Sequence, residues 1–425
     1  MENFSTFFVF HGQPPIAVVA MKDILIGLFV LGGIAVKASS PSPPVLRVRI
    51  WTSRDRWFIE LALIALIYFI VDIARAGNLG ESVHGLRDFL APFIVLLIGT
   101  IVGSRAGFEI RLFVNFVAAT LAVVMVFAIY QYFAFSIDDL VKYGVVDPKF
   151  ALNPVGGYVQ SDSMGQNLTT VRSIGVFDSS LILGIVSVMV ILNSWIGWSW
   201  SKSTGKLLHG GVIALAFLAL GASYSRASQV GLIVATLVLA RSAFRRGRLV
   251  AISLVLIILP FGLLRTFNGS GLDLSTLGHI FAYVRAADLI RVRPLGYGIS
   301  FAGMRPTQTG FDGDYLNVLL NVGPVGLILF LAAFRHFYRQ AKLLSSSPHL
   351  QPISLGIRGM LIAYCLTMIT LLIQPNGACR IIDLWIGVLL GYGLSHSKRR
   401  ATIKPQVPKQ PAQAYSRSEP TPRYI

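Results

Sequence analysis

Charge is scarce in this chain. Only 13% of its 425 residues are Asp, Glu, Lys or Arg, against roughly 25% in an ordinary soluble domain, and that shortage excludes a conventional globular fold. Cysteine is scarcer still. Cys365 and Cys379 lie in or near apolar segments with no metal-ligand spacing, so they read as small buried residues and carry no information about redox compartment. The chain also lacks a Walker A loop, a dinucleotide-binding glycine fingerprint, a His/Cys cluster and an internal repeat, which leaves coupling to bound ATP without support. No basic leader precedes the first apolar run, so no cleavable signal peptide is expected.

What the chain has in quantity is apolar length. Hydrophobic residues make up 54% of it, in runs that repeatedly reach the roughly 20 residues needed to cross a bilayer. The predicted spans are Ile16 to Val36, Trp57 to Val71, Phe89 to Val102, Leu112 to Phe135, Ile174 to Ile196, Leu207 to Ser223, Ser228 to Ala240, Leu249 to Leu264, Tyr315 to Phe334, Gly359 to Ile373 and Ile381 to Leu394. The expected fold is therefore all-α and polytopic, with about 11 transmembrane helices. Residues 1–15 are expected to form an outer stub or partial span, 16–396 one membrane domain, and 397–425 a disordered basic cytoplasmic tail.

The net charge of +18 invites a nucleic-acid reading, but basic residues in a membrane protein collect in cytoplasmic loops. Alternate connections do carry them: Arg47/Arg49/Arg54/Arg56, Arg105/Arg111, Lys202/Lys206, Arg241/Arg245/Arg246/Arg248, Arg335/Arg339/Lys342 and Lys398/Arg399/Arg400. No nucleic-acid partner is implied. The other set of connections then faces outside and includes two long loops, about 136–171 and 265–311, and long ordered loops are where function usually sits.

The outer set holds arginines that the topology rule does not explain: Arg75, Arg87, Arg172, Arg226, Arg265, Arg285, Arg291, Arg293 and Arg305. Some serve only to reach headgroups. Arg172, at the start of an expected span, and Arg226, in the short turn Ser223-Tyr-Ser-Arg-Ala-Ser228, are held by span-adjacent backbone. Arginine suits phosphate because its paired donors are fixed and its charge is permanent. A convergent group at the outer interface would suit a diphosphate whose lipid stays in the membrane.

Residues 277–292 have the pattern of an amphipathic helix at the membrane surface, with Arg285 and Asp288 placed to pair. The loop Arg293-Pro-Leu-Gly-Tyr-Gly298 follows. Asp312-Gly-Asp-Tyr-Leu316 opens the next span with two carboxylates, and either is a candidate to take a hydroxyl proton as general base. Competing roles are helix capping and pairing with an arginine. An Asp-x-Asp nucleotide-sugar metal site does not suit the outer face.

Three segments in this order resemble the O-antigen ligase and polysaccharide polymerase superfamily of bacterial inner-membrane glycosyltransferases: Arg172-Ser-Ile-Gly-Val-Phe177, Ser225-Arg226-Ala227, and Pro294-Leu-Gly-Tyr-Gly298 leading into Asp312-Gly-Asp-Tyr-Leu-Asn-Val-Leu-Leu-Asn-Val-Gly-Pro-Val-Gly-Leu327. The likeness runs from about Lys22 to Leu394 and is strongest from Arg172 to Phe330. It implies a GT-C-like fold, an active site on the periplasmic face, and glycan transfer from undecaprenyl diphosphate without a cofactor. The acceptor would be a growing O-antigen or exopolysaccharide, or alternatively lipid A core. A chain-length regulator or flippase of the same pathway would be a partner. Family arginines that hold the diphosphate carry over to Arg172 and Arg226, with Arg285 a further match.

Arg291, Arg293 and Tyr315 are candidate substrate contacts, and Asp312 and Asp314 the candidate catalytic carboxylates. Relatives often carry a His, commonly followed by Asn, where this chain has Asp312 and Gly313, which favours polymerase over ligase. Relatives also usually begin with one more span before Lys22, so this chain is expected to start late, with its N-terminus outside or residues 7–20 as a partial span. A transporter or lipid flippase is the alternative of another class; it should show inverted repeats or broken spans near the midplane.

Overall fold

The computed structural model describes residues 57–76, 79–105, 107–136, 139, 159–161, 168–171, 173, 175, 177, 179–240, 274–299, 313–369 and 377–402. They form ten α-helices and one two-stranded ribbon: α1 (Trp57–Ala76), α2 (Leu79–Gly103), α3 (Ile110–Ala134), β1 (Val159–Ser161), β2 (Leu168–Val171), α4 (Ser180–Trp200), α5 (Ser203–Ser223), α6 (Arg226–Ala240), α7 (Leu274–Val292), α8 (Asp314–Leu343), α9 (Gln351–Thr367) and α10 (Gly377–Thr402). Among the described residues, five helices are long and apolar enough to cross a membrane: α3, α4, α5, most of α2, and α8 with the turn after it. The chain is a multi-pass membrane protein of helical architecture. The expected spans at Ile16 to Val36 and Leu249 to Leu264 lie outside the described residues.

The helices sort by what covers them. α4 is apolar on every side and 89% buried, as a helix enclosed by protein must be. α3 is only 22% buried and turns Leu112, Phe116, Val123 and Phe133 outward, a surface that suits lipid. One end of the bundle carries Arg105 before α3, Arg111 in its first turn, Lys202 before α5, Lys206 in its first turn, and Arg335, Arg339 and Lys342 in the last turns of α8. The opposite end, the head, holds the starts of α2, α4, α6, α8 and α10 and the ends of α3, α5 and α9.

α2 and α10 lie parallel at close range. Gly99 and Gly103 on one face Gly387 and Gly391 on the other, and a Cβ at any of the four would overlap a carbonyl oxygen of the partner helix, at Leu384, Val388, Leu96 and Thr100 respectively. Hydrocarbon chains supply no hydrophobic drive between helices in lipid, so backbones that approach this closely gain their attraction from van der Waals contact. Behind them Phe93 stands edge-on to Phe330 with ring centroids 5.3 Å apart, and Phe330 does the same to Phe334 at 5.2 Å.

Several expected boundaries move, each for a local reason. α4 starts at Ser180 instead of near Ile174, because Ser179 in extended backbone caps it through Leu181 N–H. Arg172 therefore precedes that helix by two turns' length of chain. α6 starts at Arg226 itself, since the turn before it closes in a single left-handed residue, Tyr224, at φ 53°. α9 begins at Gln351, eight residues before the expected Gly359. The charge that suggested the later start, Arg358, is buried against α8, donating to the Tyr338 hydroxyl at 2.9 Å and stacking over its ring. α10 stays helical through Thr402, so 397–402 of the expected disordered tail are helix; 403–425 lie outside the described residues.

α8 is broken in the middle. Gly323 leaves the helix at φ 68° and ψ −176°, a conformation open to glycine, and Pro324 follows it,. Proline has no N–H to offer Leu320 four residues back. That carbonyl instead accepts from Tyr297 N–H at 2.7 Å, and the carbonyl of Asn321 accepts from Gly298 N–H at 3.1 Å. The loop after α7 thus replaces the missing helical bonds, as irregular backbone at membrane depth requires.

Candidate functional site

The C-terminal end of α9 is the hub of the head. A helix leaves its last carbonyls without partners, and here two neighbouring helices, α7 and α8, supply three donors. Asp314 N–H donates to Met368 O at 3.0 Å, the Tyr315 hydroxyl to Cys365 O at 2.8 Å, and the Tyr283 hydroxyl to Ile369 O at 2.6 Å. Gly231 of α6 lies against Ala363 O and Thr367 Oγ1. The elements that bear Arg226, Arg285, Asp314 and Tyr315 therefore converge on residues 363–369. Burial pushes the Tyr283 phenol above its ordinary pKa, so it remains the donor,.

Arg226 is presented by a turn with little freedom. Ser223, Ser225 and Ser228 are all fully buried, and the Oγ atoms of Ser225 and Ser228 are 2.8 Å apart. Ser225 sits on Gly184 of α4, where any Cβ would overlap it, and the Tyr224 hydroxyl meets that of Tyr132 at 2.9 Å. Arg226 itself is exposed at the first position of α6. A cation at a helix N-terminus is unfavourable alone, because the free N–H groups and helix dipole are already positive there. The same coincidence makes the place attractive to an anion.

Arg172 and Asp312 lie outside the described residues. The neighbour of Arg172, Ser173, is tied to the Arg226 turn: its N–H donates to Ala222 O at 3.1 Å, and its hydroxyl donates to Ala128 O at 2.7 Å. Gln131 Oε1 accepts from the same hydroxyl at 3.1 Å and from Gly175 N–H at 2.8 Å. The antiparallel β1–β2 ribbon, with Val159 opposite Val171, brings the chain to this point.

α7 lays Ala282, Ala286, Leu289 and Ile290 against Leu316 and Leu320 of α8, with Tyr297 completing the cluster. Its other faces expose Phe281, Val284, Arg285, Asp288 and Arg291. Asp288 pairs with Arg291 at 3.4 Å. Arg293 is exposed over the Tyr297 ring, 5.0 Å from its centroid. The loop that follows is wedged between two helices. The Tyr68 hydroxyl donates to Leu295 O, and a Cβ at Gly298, which has φ 124°, would overlap the Asp72 carboxylate.

Asp314 differs from the sequence expectation. It is the first residue of α8 and only 1% exposed, so it is not held out to a bulky acceptor, and Gly313 occupies the capping position. Beside it are groups that the sequence reading missed. Asp383 on α10, Tyr364 on α9 and Asn317 on α8 are all buried. Arg380 bridges to Asp88 at 3.7 Å, and Arg87, already named among the outer arginines, bonds the same carboxylate at 3.1 Å. Their signal was present as ionisable residues inside or next to apolar runs, which by default mark function. No protein-family model matches this chain, and no curated protein matches it in sequence.

Proposed function

We propose that this protein is a polyprenyl-diphosphate-dependent glycosyltransferase of the bacterial inner membrane, working at the periplasmic face. Its leading task in this reading is polymerisation of O-antigen or exopolysaccharide repeat units, with transfer of finished glycan to lipid A core as the near alternative. A GT-C-like fold with about 11 spans belongs to the same proposal. The observation that carries it is the Arg226 turn at the start of α6, built on buried serines, beside which the residue after Arg172 is hydrogen-bonded.

In this mechanism Arg172 and Arg226, helped by Arg285, neutralise the diphosphate. The acceptor oxygen forms its bond to the anomeric carbon as the bond from that carbon to the diphosphate oxygen breaks, and the electron pair of the broken bond stays on the diphosphate. Asp312 takes the acceptor proton. In this reading the burial of Asp314 keeps it from the acceptor and leaves the proton to Asp312, while the backbone N–H of Asp314 ties the start of α8 to Met368. Most of the rate would come from the arginines, since fixed charge at a developing anion is commonly the largest catalytic contribution.

Transport is the second reading, and the break at Gly323–Pro324 is the observation in its favour. The amides of Tyr297 and Gly298 already donate to the freed carbonyls of that break, which gives the broken helix a structural use of its own.

The deciding experiment compares surface glycans and lipid extracts from a deletion strain complemented with wild type or Arg226→Ala. Loss of long glycan with accumulation of single lipid-linked repeats identifies a polymerase. Long lipid-linked polymer with bare lipid A core identifies a ligase. Unchanged glycans in a strain without a redundant enzyme would remove both.

A further inference from the structure

Asp383 lies in the second turn of α10, 1% exposed, and neither of its carboxylate oxygens has a hydrogen-bond partner among the described residues. The adjacent cation acts on it through space without bonding to it. Arg380, one turn earlier on the same helix, directs Nη2 to Asp88, 3.4 Å from its carbonyl oxygen and 3.7 Å from Oδ1. The other terminal nitrogen of Arg380, Nη1, is buried and bonded to nothing among the described residues. The remaining groups acting on Asp383 are Tyr364 from α9, fully buried with its hydroxyl directed near the carboxyl but outside ordinary hydrogen-bond geometry, and Asp314 from α8.

An ionised carboxylate removed from water needs a counter-charge and hydrogen bonds to its oxygens. Here the guanidinium donates to the Asp88 carbonyl and lies 3.7 Å from that residue's carboxylate, neither Asp383 oxygen has a partner at ordinary hydrogen-bond geometry among the described residues, and a second carboxyl, Asp314, stands by. We propose that Asp383 is a proton-binding site, held as the neutral acid inside the head of the bundle. The charged and titratable groups that face this region are Arg87 and Asp88 from α2, Asp314 from α8, Tyr364 from α9, and Cys379 and Arg380 from α10. With Asp383 neutral, Arg380 stays committed to Asp88 and ties α10 to α2. Loss of the proton sets a negative charge between Arg380 and Asp314, drawing Arg380 from Asp88 and raising negative potential at the first turn of α8.

This inference rests on the burial and pairing of Asp383 and holds whichever substrate the chain handles, so its test needs no activity. Infrared spectra of the full-length protein in lipid nanodiscs at neutral pH should show a protonated-carboxyl stretching band that shifts in D2O. Labelling wild type with carbonyl-labelled aspartate should move it. Asp383→Asn should remove the intensity of one carboxyl, and Asp383→Glu should shift the band without removing it. A band absent from wild type, insensitive to aspartate labelling, or undiminished in a folded Asp383→Asn protein overturns the assignment. So does loss of the band when sodium is added at constant pH, which would place a metal cation there instead.

Discussion

Tyr297 and Leu320 share a hydrogen bond that α8 cannot make for itself: the Tyr297 amide donates to the Leu320 carbonyl at 2.7 Å, where Pro324 has no N–H to give. At about 1.5 Å per residue, the nine residues from Asp314 to Gly323 place this junction roughly 13 Å below the head of α8. Tyr68, which also holds the loop, is eight residues from the end of α1, a depth of about 12 Å by the same rise. Two helices thus agree that the loop after α7 dips into the layer the spans cross.

The fit of that loop predicts a contrast between two glycines with positive φ. Gly107, at φ 81°, has open space where a Cβ would go, whereas at Gly296, φ 90°, the added atom would lie 2.6 Å from Asn321 O. Gly107→Ala should cost about 1–2 kcal/mol, the left-handed backbone penalty alone. Gly296→Ala should in addition expel the loop, read as new reactivity of Ile299→Cys, at a position buried in the wild type, toward a membrane-impermeant maleimide.

The α2–α10 contact predicts a second contrast. Gly391→Val should abolish the monodisperse peak of detergent-solubilised protein in size-exclusion chromatography, because the side chain would meet the Thr100 carbonyl. Gly211 and Gly221 are helical with nothing near an added Cβ. Alanine at either should be neutral or stabilising by about 0.5–1 kcal/mol, seen as an unchanged or raised melting temperature.

For the proposed transfer reaction, Arg226→Lys should be nearly as damaging as Arg226→Ala, since a point charge does not replace a paired-donor fork. The expected loss is about 2.7–4 kcal/mol of transition-state stabilisation, or about 10²–10³ in rate. Near-normal glycan length in the lysine variant would sink the assignment. Gly184→Ala should lower activity with Arg226 intact, because it pushes Ser225 and displaces the turn.

Tyr283 predicts an alkaline sensitivity. Its folded-state pKa is raised by burial, so its contribution is complete below the unfolded phenol value of about 10 and is lost as pH rises through the folded value. Wild type should therefore lose melting temperature in that alkaline window more steeply than Tyr283→Phe, which has no phenol to ionise.

The helices were largely legible because apolar length is a one-dimensional signal. Ser203–Ser223 and Ile110–Ala134 begin and end within a few residues of expectation. The start of α4 was not, since Ser179 works as a cap only once Leu181 has turned to meet it. Arg358 hid the first half of α9, because its satisfaction depends on Tyr338 from another helix. The break in α8 was visible as Gly323-Pro324, but not its plug, which depends on a loop some twenty-five residues upstream. Asp314 looked exposed for lack of any local sign that α9 would cover it.

The glycine faces of α2 and α10 bear on how the protein is made. Gly99 and Gly387 meet across most of the chain's length, and α10 is the last described helix. A nascent chain that has inserted α2 must keep its narrow glycine face waiting in the bilayer until α10 arrives. Contacts so distant in sequence form late. Termination before Gly377 would remove this partner altogether and leave α2 open to other helices in the membrane, which is the condition in which quality-control proteases recognise an orphaned span.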